Sequence, residues 1–101
     1  MRKQEIKDKI KEAIKNNPFR DEIKKVSLFS SYLNGKPRKD SDIDVLIEFT
    51  PSAQVGFFEL IAIQNKFEEY LKKPIDLLTP EQLSKYFRDE VIKQAETIYE
   101  R

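Results

Sequence analysis

Asp42 and Asp44, two residues apart, and a third aspartate, Asp76, are the side chains of this 101-residue chain whose types and spacing could do chemistry. Side chains alternate along a strand, so residues two apart share a face and lie roughly 7 Å from one another. Asp42 and Asp44 would then project together, while Ile43, Val45, Ile47 and Phe49 point the other way into a core. Neighbouring carboxylates repel unless cations sit between them. Asp76 interrupts the apolar run Ile75-Asp76-Leu77-Leu78, where a carboxylate is costly to bury unless it is paired or binds metal. Hard divalent cations such as Mg²⁺ take oxygen ligands and share them with substrate phosphates. Two such ions about 4 Å apart can clamp the attacking and leaving oxygens of a phosphoryl or nucleotidyl transfer. That chemistry is mostly positioning and charge neutralisation, so a chain without histidine can perform it.

A second feature precedes the aspartates. Val26-Ser27-Leu28-Phe29 reads as a short strand running straight into Ser30 and Ser31, where a helical turn would begin and end near Gly35. A strand, a serine and a helix start in succession set backbone N–H groups and a hydroxyl at an anion-binding position. Taken alone, the serines are equally explained as a helix cap. Lys36, Arg38 and Lys39 lie in the polar loop that follows, and Arg38 or Lys39 could reach a phosphate held nearby. Asp40, Asp42 and Asp44 also match the first three ligands of an EF-hand loop. That reading fails, because the sixth position is Val45 rather than glycine and the twelfth is Pro51 rather than glutamate.

The remaining elements must position these residues. Ile6, Ile10, Ala13 and Ile14 form one helical stripe over residues 3–16, stopped by Asn16-Asn17-Pro18. The Asp42–Phe49 strand ends at Thr50-Pro51-Ser52. A helix over residues 56–72 follows, apolar almost all round in its first half through Phe57, Phe58, Leu60, Ile61, Ala62 and Ile63. Such a face is either buried on every side or an association surface for a partner or a second copy. Thr79-Pro80-Glu81-Gln82 has the spacing of a capping box with proline at the first helical position. Residues 89–100 are expected to form a last amphipathic helix with Val91, Ile92, Ala95, Ile98 and Tyr99 inward. The fold class is α+β, a small mixed sheet flanked by helices, organised as a single domain over residues 1–101.

Composition narrows the function classes. Nineteen basic against eighteen acidic residues leave a net charge of +1, which argues against nucleic-acid binding through bulk electrostatics. The chain has no cysteine, which excludes disulfides and thiolate metal sites. A charged amphipathic start and the lack of any membrane-length apolar run lead to the expectation of a soluble, cytoplasmic protein.

The run Phe29-Ser30-Ser31-Tyr32-Leu33-Asn34-Gly35 followed by Asp40-Ser41-Asp42-Ile43-Asp44 resembles the signature of the minimal nucleotidyltransferases of the DNA polymerase β-like superfamily. The resemblance aligns without a gap and covers essentially the whole chain. It implies the polymerase β-like fold, with Asp42, Asp44 and Asp76 as catalytic, Mg²⁺-binding carboxylates, two ions being expected. Asp76 would orient or deprotonate the acceptor hydroxyl. Ser30 and Ser31 would hold the phosphates of a nucleoside triphosphate, ATP. It further implies transfer of AMP to a hydroxyl of a helical HEPN-type partner, the chain acting as antitoxin of a toxin–antitoxin pair. Two departures stand out: Ser30 replaces the family glycine and Asn34 the family arginine. They leave open a second reading, a catalytically degenerate binding module that neutralises its partner by contact.

Overall fold

The computed structural model describes residues 2–29, 43–86 and 88–101. A first helix, α1 (Lys3–Lys15), leads through a 3₁₀ turn (Arg20–Glu22) into β1 (Ile23–Phe29). Then come β2 (Ile43–Phe49), α2 (Phe57–Leu71), β3 (Ile75–Leu78), a second 3₁₀ turn (Pro80–Gln82), α3 (Arg88–Gln94) and β4 (Glu96–Glu100). The strands form one mixed sheet in the order β3-β2-β1-β4. β2 and β3 are parallel, joined by α2, and the other two pairs are antiparallel.

The periodicity of α1 puts Ile6, Ile10, Ala13 and Ile14 on one buried stripe, as its sequence requires. At its end, buried Asn17 accepts a hydrogen bond on Oδ1 from the Phe19 N–H at 2.8 Å, which turns the chain toward the sheet. In α2 the apolar excess divides: Ile63, Phe67 and Leu71 are fully buried, whereas Phe57, Phe58 and Ile61 face outward. Each fully buried Ile or Phe contributes about 1.5–3 kcal/mol. Together α1 and α2 cover one face of the sheet, formed by Val26, Leu28, Ile43, Val45, Ile47, Ile75 and Leu77.

α2 leaves the helical conformation at Lys72, whose backbone is left-handed (φ 59°) and whose N–H donates to the Glu68 carbonyl at 2.8 Å. The Glu68 side chain closes the crossover, its Oε2 accepting from the Ile75 N–H at 2.8 Å. The Thr79–Gln82 box forms as its spacing indicates: Gln82 Oε1 accepts from the Thr79 N–H at 2.8 Å, although the element is one 3₁₀ turn rather than a longer helix.

The expected C-terminal helix over residues 89–100 is corrected. The helix stops at Gln94, and Glu96–Glu100 is an edge strand paired with β1. The Ile98 and Tyr99 that read as helical are held against the core by a register irregularity opposite Val26 and Ser27. Thr97, Ile98 and Tyr99 are strong strand formers, and the unpaired edge of β1 supplies their partner. Glu96 then faces α1, with Lys3 Nζ 3.0 Å and Lys7 Nζ 3.4 Å from its carboxylate. These contacts fasten the first helix to the last strand.

Candidate active site

Asp44 and Asp76 are register partners on the parallel strands β2 and β3. Register partners on neighbouring strands lie about 4.8 Å apart and project to the same face. Each is held by buried neighbours that point the opposite way: Ile43 and Val45 beside Asp44, Ile75 and Leu77 beside Asp76. The Ile43 N–H donates to the Pro74 carbonyl at 3.3 Å just before the pair, fixing the register where it matters. Alternation in two short strands therefore delivers two carboxylates side by side on the face that α1 and α2 leave uncovered.

On its other flank, Asp44 has Phe29 of β1 as its antiparallel register partner. Phe29, Ser27 and Leu46 are buried on this same face, and Phe29 and Leu46 make an apolar floor beside the carboxylates. Asp44 is half-buried and Asp76 is exposed. A carboxylate pair with water excluded from one side holds a cation more strongly than the same pair in bulk water. The contribution of Phe29 is a detail sequence reading missed; its signal was the unbroken apolar end of β1 next to the serine pair.

Ser30, Ser31 and Asp42 lie outside the described residues, as do the loop bases Arg38 and Lys39 and the Ser30 and Asn34 departures. Among the described residues no cluster of three or more potential metal ligands gathers. What the described part brings together is Asp44 with Asp76. Their donor set is oxygen only, which fits a hard divalent cation such as Mg²⁺.

A four-stranded mixed sheet with helices packed on one face and two juxtaposed aspartates on the other is the frame of a nucleotidyl-transferring domain. The chain belongs to the polymerase β nucleotidyltransferase family, whose model matches residues 8–101. Two proteins of Methanocaldococcus jannaschii are similar to it, each described as a "putative protein adenylyltransferase". MJ0435 is 30% identical over 72% of this chain and 76% of its own length. MJ1215 is 36% identical over 74% of this chain and 81% of its own. Among solved structures, one described as a "putative minimal nucleotidyltransferase" superposes with a TM-score of 0.74 at 23% identity, covering 94% of both chains. A chain from a toxin–antitoxin complex with AMP-PNP superposes with a TM-score of 0.73 at 21% identity, covering 94% of this chain and 73% of its own. A third, from a tri-AMPylated Shewanella oneidensis HEPN toxin in complex with its MNT antitoxin, gives 0.67 at 19% identity, covering 97% of this chain and 72% of its own. At these identities the superpositions establish the polymerase β-like nucleotidyltransferase fold. Among the described residues no helix is long and apolar enough to cross a membrane.

Proposed function

We propose that this chain is a Mg²⁺-dependent nucleotidyltransferase that moves AMP from ATP onto a hydroxyl of a helical HEPN-type protein partner in the cytoplasm, as the antitoxin of a toxin–antitoxin pair. The observation that carries this reading is the register pairing of Asp44 with Asp76 on the face opposite α1 and α2 in a sheet with this family's fold. The similar adenylyltransferases and the toxin–antitoxin chains of like fold support the choice of donor and partner.

In this reading Asp44, Asp42 and Asp76 hold the metal ions, which when bound neutralise triphosphate charge. Ser30 and Ser31 bind the phosphates. Exposed Asp76 orients the incoming hydroxyl and accepts its proton as the acceptor oxygen bonds to the α-phosphorus and pyrophosphate leaves. Phe29 excludes water from one flank of the site.

Incubation with α-labelled ATP, Mg²⁺ and the HEPN-type partner should label that partner. Asp44→Asn should lower labelling about 100-fold or more. Labelling at the wild-type rate by that variant would refute the assignment.

A second reading rests on the outward faces of Phe57 and Phe58, 68% and 82% exposed and packed edge to face with each other at 6.1 Å. An aromatic pair so exposed suits a partner interface and could neutralise a toxin by contact without chemistry. On that reading Phe58→Glu abolishes the complex, while Asp44→Asn leaves protection of the partner intact.

A further inference from the structure

Away from the aspartates, a cleft of about 490 Å³ opens where the end of α1, the first 3₁₀ turn and the end of β4 meet. Four cations line it: Lys11 and Lys15, one turn apart on α1, with Arg20 and Arg101. Asp21 is the one acidic side chain in the lining, and Tyr99 and Ile14 give it an apolar wall. In a chain of net charge +1 this is a marked local imbalance.

Two observations separate the cleft from an ordinary lysine-rich surface. Among the described residues none of these four cations forms an ion pair; the pairs present involve Lys3, Lys7 and Lys66. Both guanidiniums are instead tethered by backbone. Arg20 Nη1 donates to the Lys15 carbonyl at 3.2 Å, and Arg101 Nη1 donates to the Asp21 carbonyl. The Arg101 backbone is fixed as well, its N–H donating to the Lys24 carbonyl at 3.0 Å. Carbonyl tethers set the orientation of a guanidinium while leaving its charge and its other N–H groups unspent. The Arg20 contact also occupies a carbonyl at the negative end of α1, and the Asn16 and Asn17 amides occupy two more, which lessens its repulsion of an anion.

We propose that this cleft is a second ligand site, distinct from the aspartate face, that binds a phosphate ester of mononucleotide size. Its volume lies within the range of small-molecule pockets, and its two fixed arginines suit a phosphate. The apolar wall at Tyr99 and Ile14 suits the organic part of an ester better than inorganic phosphate. A cleft of this limited volume favours such a ligand over an extended acidic peptide or a nucleic-acid strand. The site lies at the start of β1 and Asp44 pairs with its end, so about 20 Å of sheet separates them. Occupancy here therefore needs neither divalent metal nor the candidate active site.

The test is titration of the whole protein with AMP in EDTA, followed by amide chemical shifts. Saturable shifts confined to Lys15, Arg20, Asp21 and Tyr99 are expected, weakened about 100-fold in Arg20→Glu/Arg101→Glu and unchanged in Asp44→Asn. Arg20→Gln/Arg101→Gln, a milder change, should weaken binding in the same direction if the charge-reversed variant fails to fold. Shifts at Asp44 and Asp76 alone would overturn the proposal while leaving the proposed function standing. Equal binding of adenosine, equal binding of inorganic phosphate, or binding of only an oligoglutamate peptide or single-stranded RNA would also overturn it.

Discussion

Glu96 sits a third exposed between two lysines of α1, and its carboxyl is held below the ordinary value of 4.5. The Lys3 ammonium is the largest cause; partial burial opposes it, and Lys7 adds to the lowering. Because the folded state lowers this pKa, its contribution to stability is complete above the unfolded value and is lost as pH falls through the folded one. Solvent screening limits the gain to less than about 1 kcal/mol. Glu96→Gln should therefore lower the urea midpoint at pH 7, and the two proteins should converge as the pH falls below the lowered pKa of the folded carboxyl. A difference that persists unchanged as the pH is lowered would mean the side chain acts through packing instead. No sequence pattern announces this contact, since Lys7 and Glu96 are 89 positions apart. Asp44 and Asp76 are different: alternation in two recognisable strands gives their direction directly, and the register pairs them.

At the scale of elements, what was legible depended on whether the local pattern and the final partner agreed. α1 and α2 carry their own apolar stripes, and β3 is bounded by prolines at Pro74 and Pro80, so each falls where its residues point. β4 does not, because Val91, Ile92, Ala95 and Ile98 repeat at helical spacing and only the free edge of β1 decides for a strand. The second helix offers two quantitative checks, one at its cap and one in its core. Lys72 holds a left-handed conformation that a side chain disfavours, so Lys72→Gly should stabilise the protein by about 0.5–1 kcal/mol. That would raise Tm by a few degrees in a domain of this size. A fall in Tm would show that the Lys72 side chain contributes more than its backbone loses. Phe67, fully buried where α2 meets the sheet, marks the other extreme. Phe67→Ala should cost about 3–5 kcal/mol, enough to unfold a marginal domain on warming, and its circular dichroism melt reads this directly.

For the whole molecule, the sheet divides its labour between faces. One face buries Val26, Leu28, Ile43, Val45 and Ile47 under two helices and supplies most of the stability. The other sets Asp44 beside Asp76 over Phe29 and Leu46, where the two like charges repel each other. Stability and cation binding should then be separable by a single substitution. In EDTA, Asp76→Asn should unfold within about 1 kcal/mol of the wild type, since residue 76 is exposed and its neighbours carry the packing. With 10 mM Mg²⁺ the wild type should gain about 1.4 kcal/mol for a millimolar site, and Asp76→Asn should not, because a ligand of the native state stabilises it by mass action. The basic cleft lies at the far end of β1 and should not respond to the metal, so the Arg20→Glu/Arg101→Glu variant should gain as much as the wild type. Thermal melts of the three proteins with and without Mg²⁺ decide it. Equal gains in wild type and Asp76→Asn would place the cation elsewhere, and no gain in either would leave the paired carboxylates without the ion that explains them.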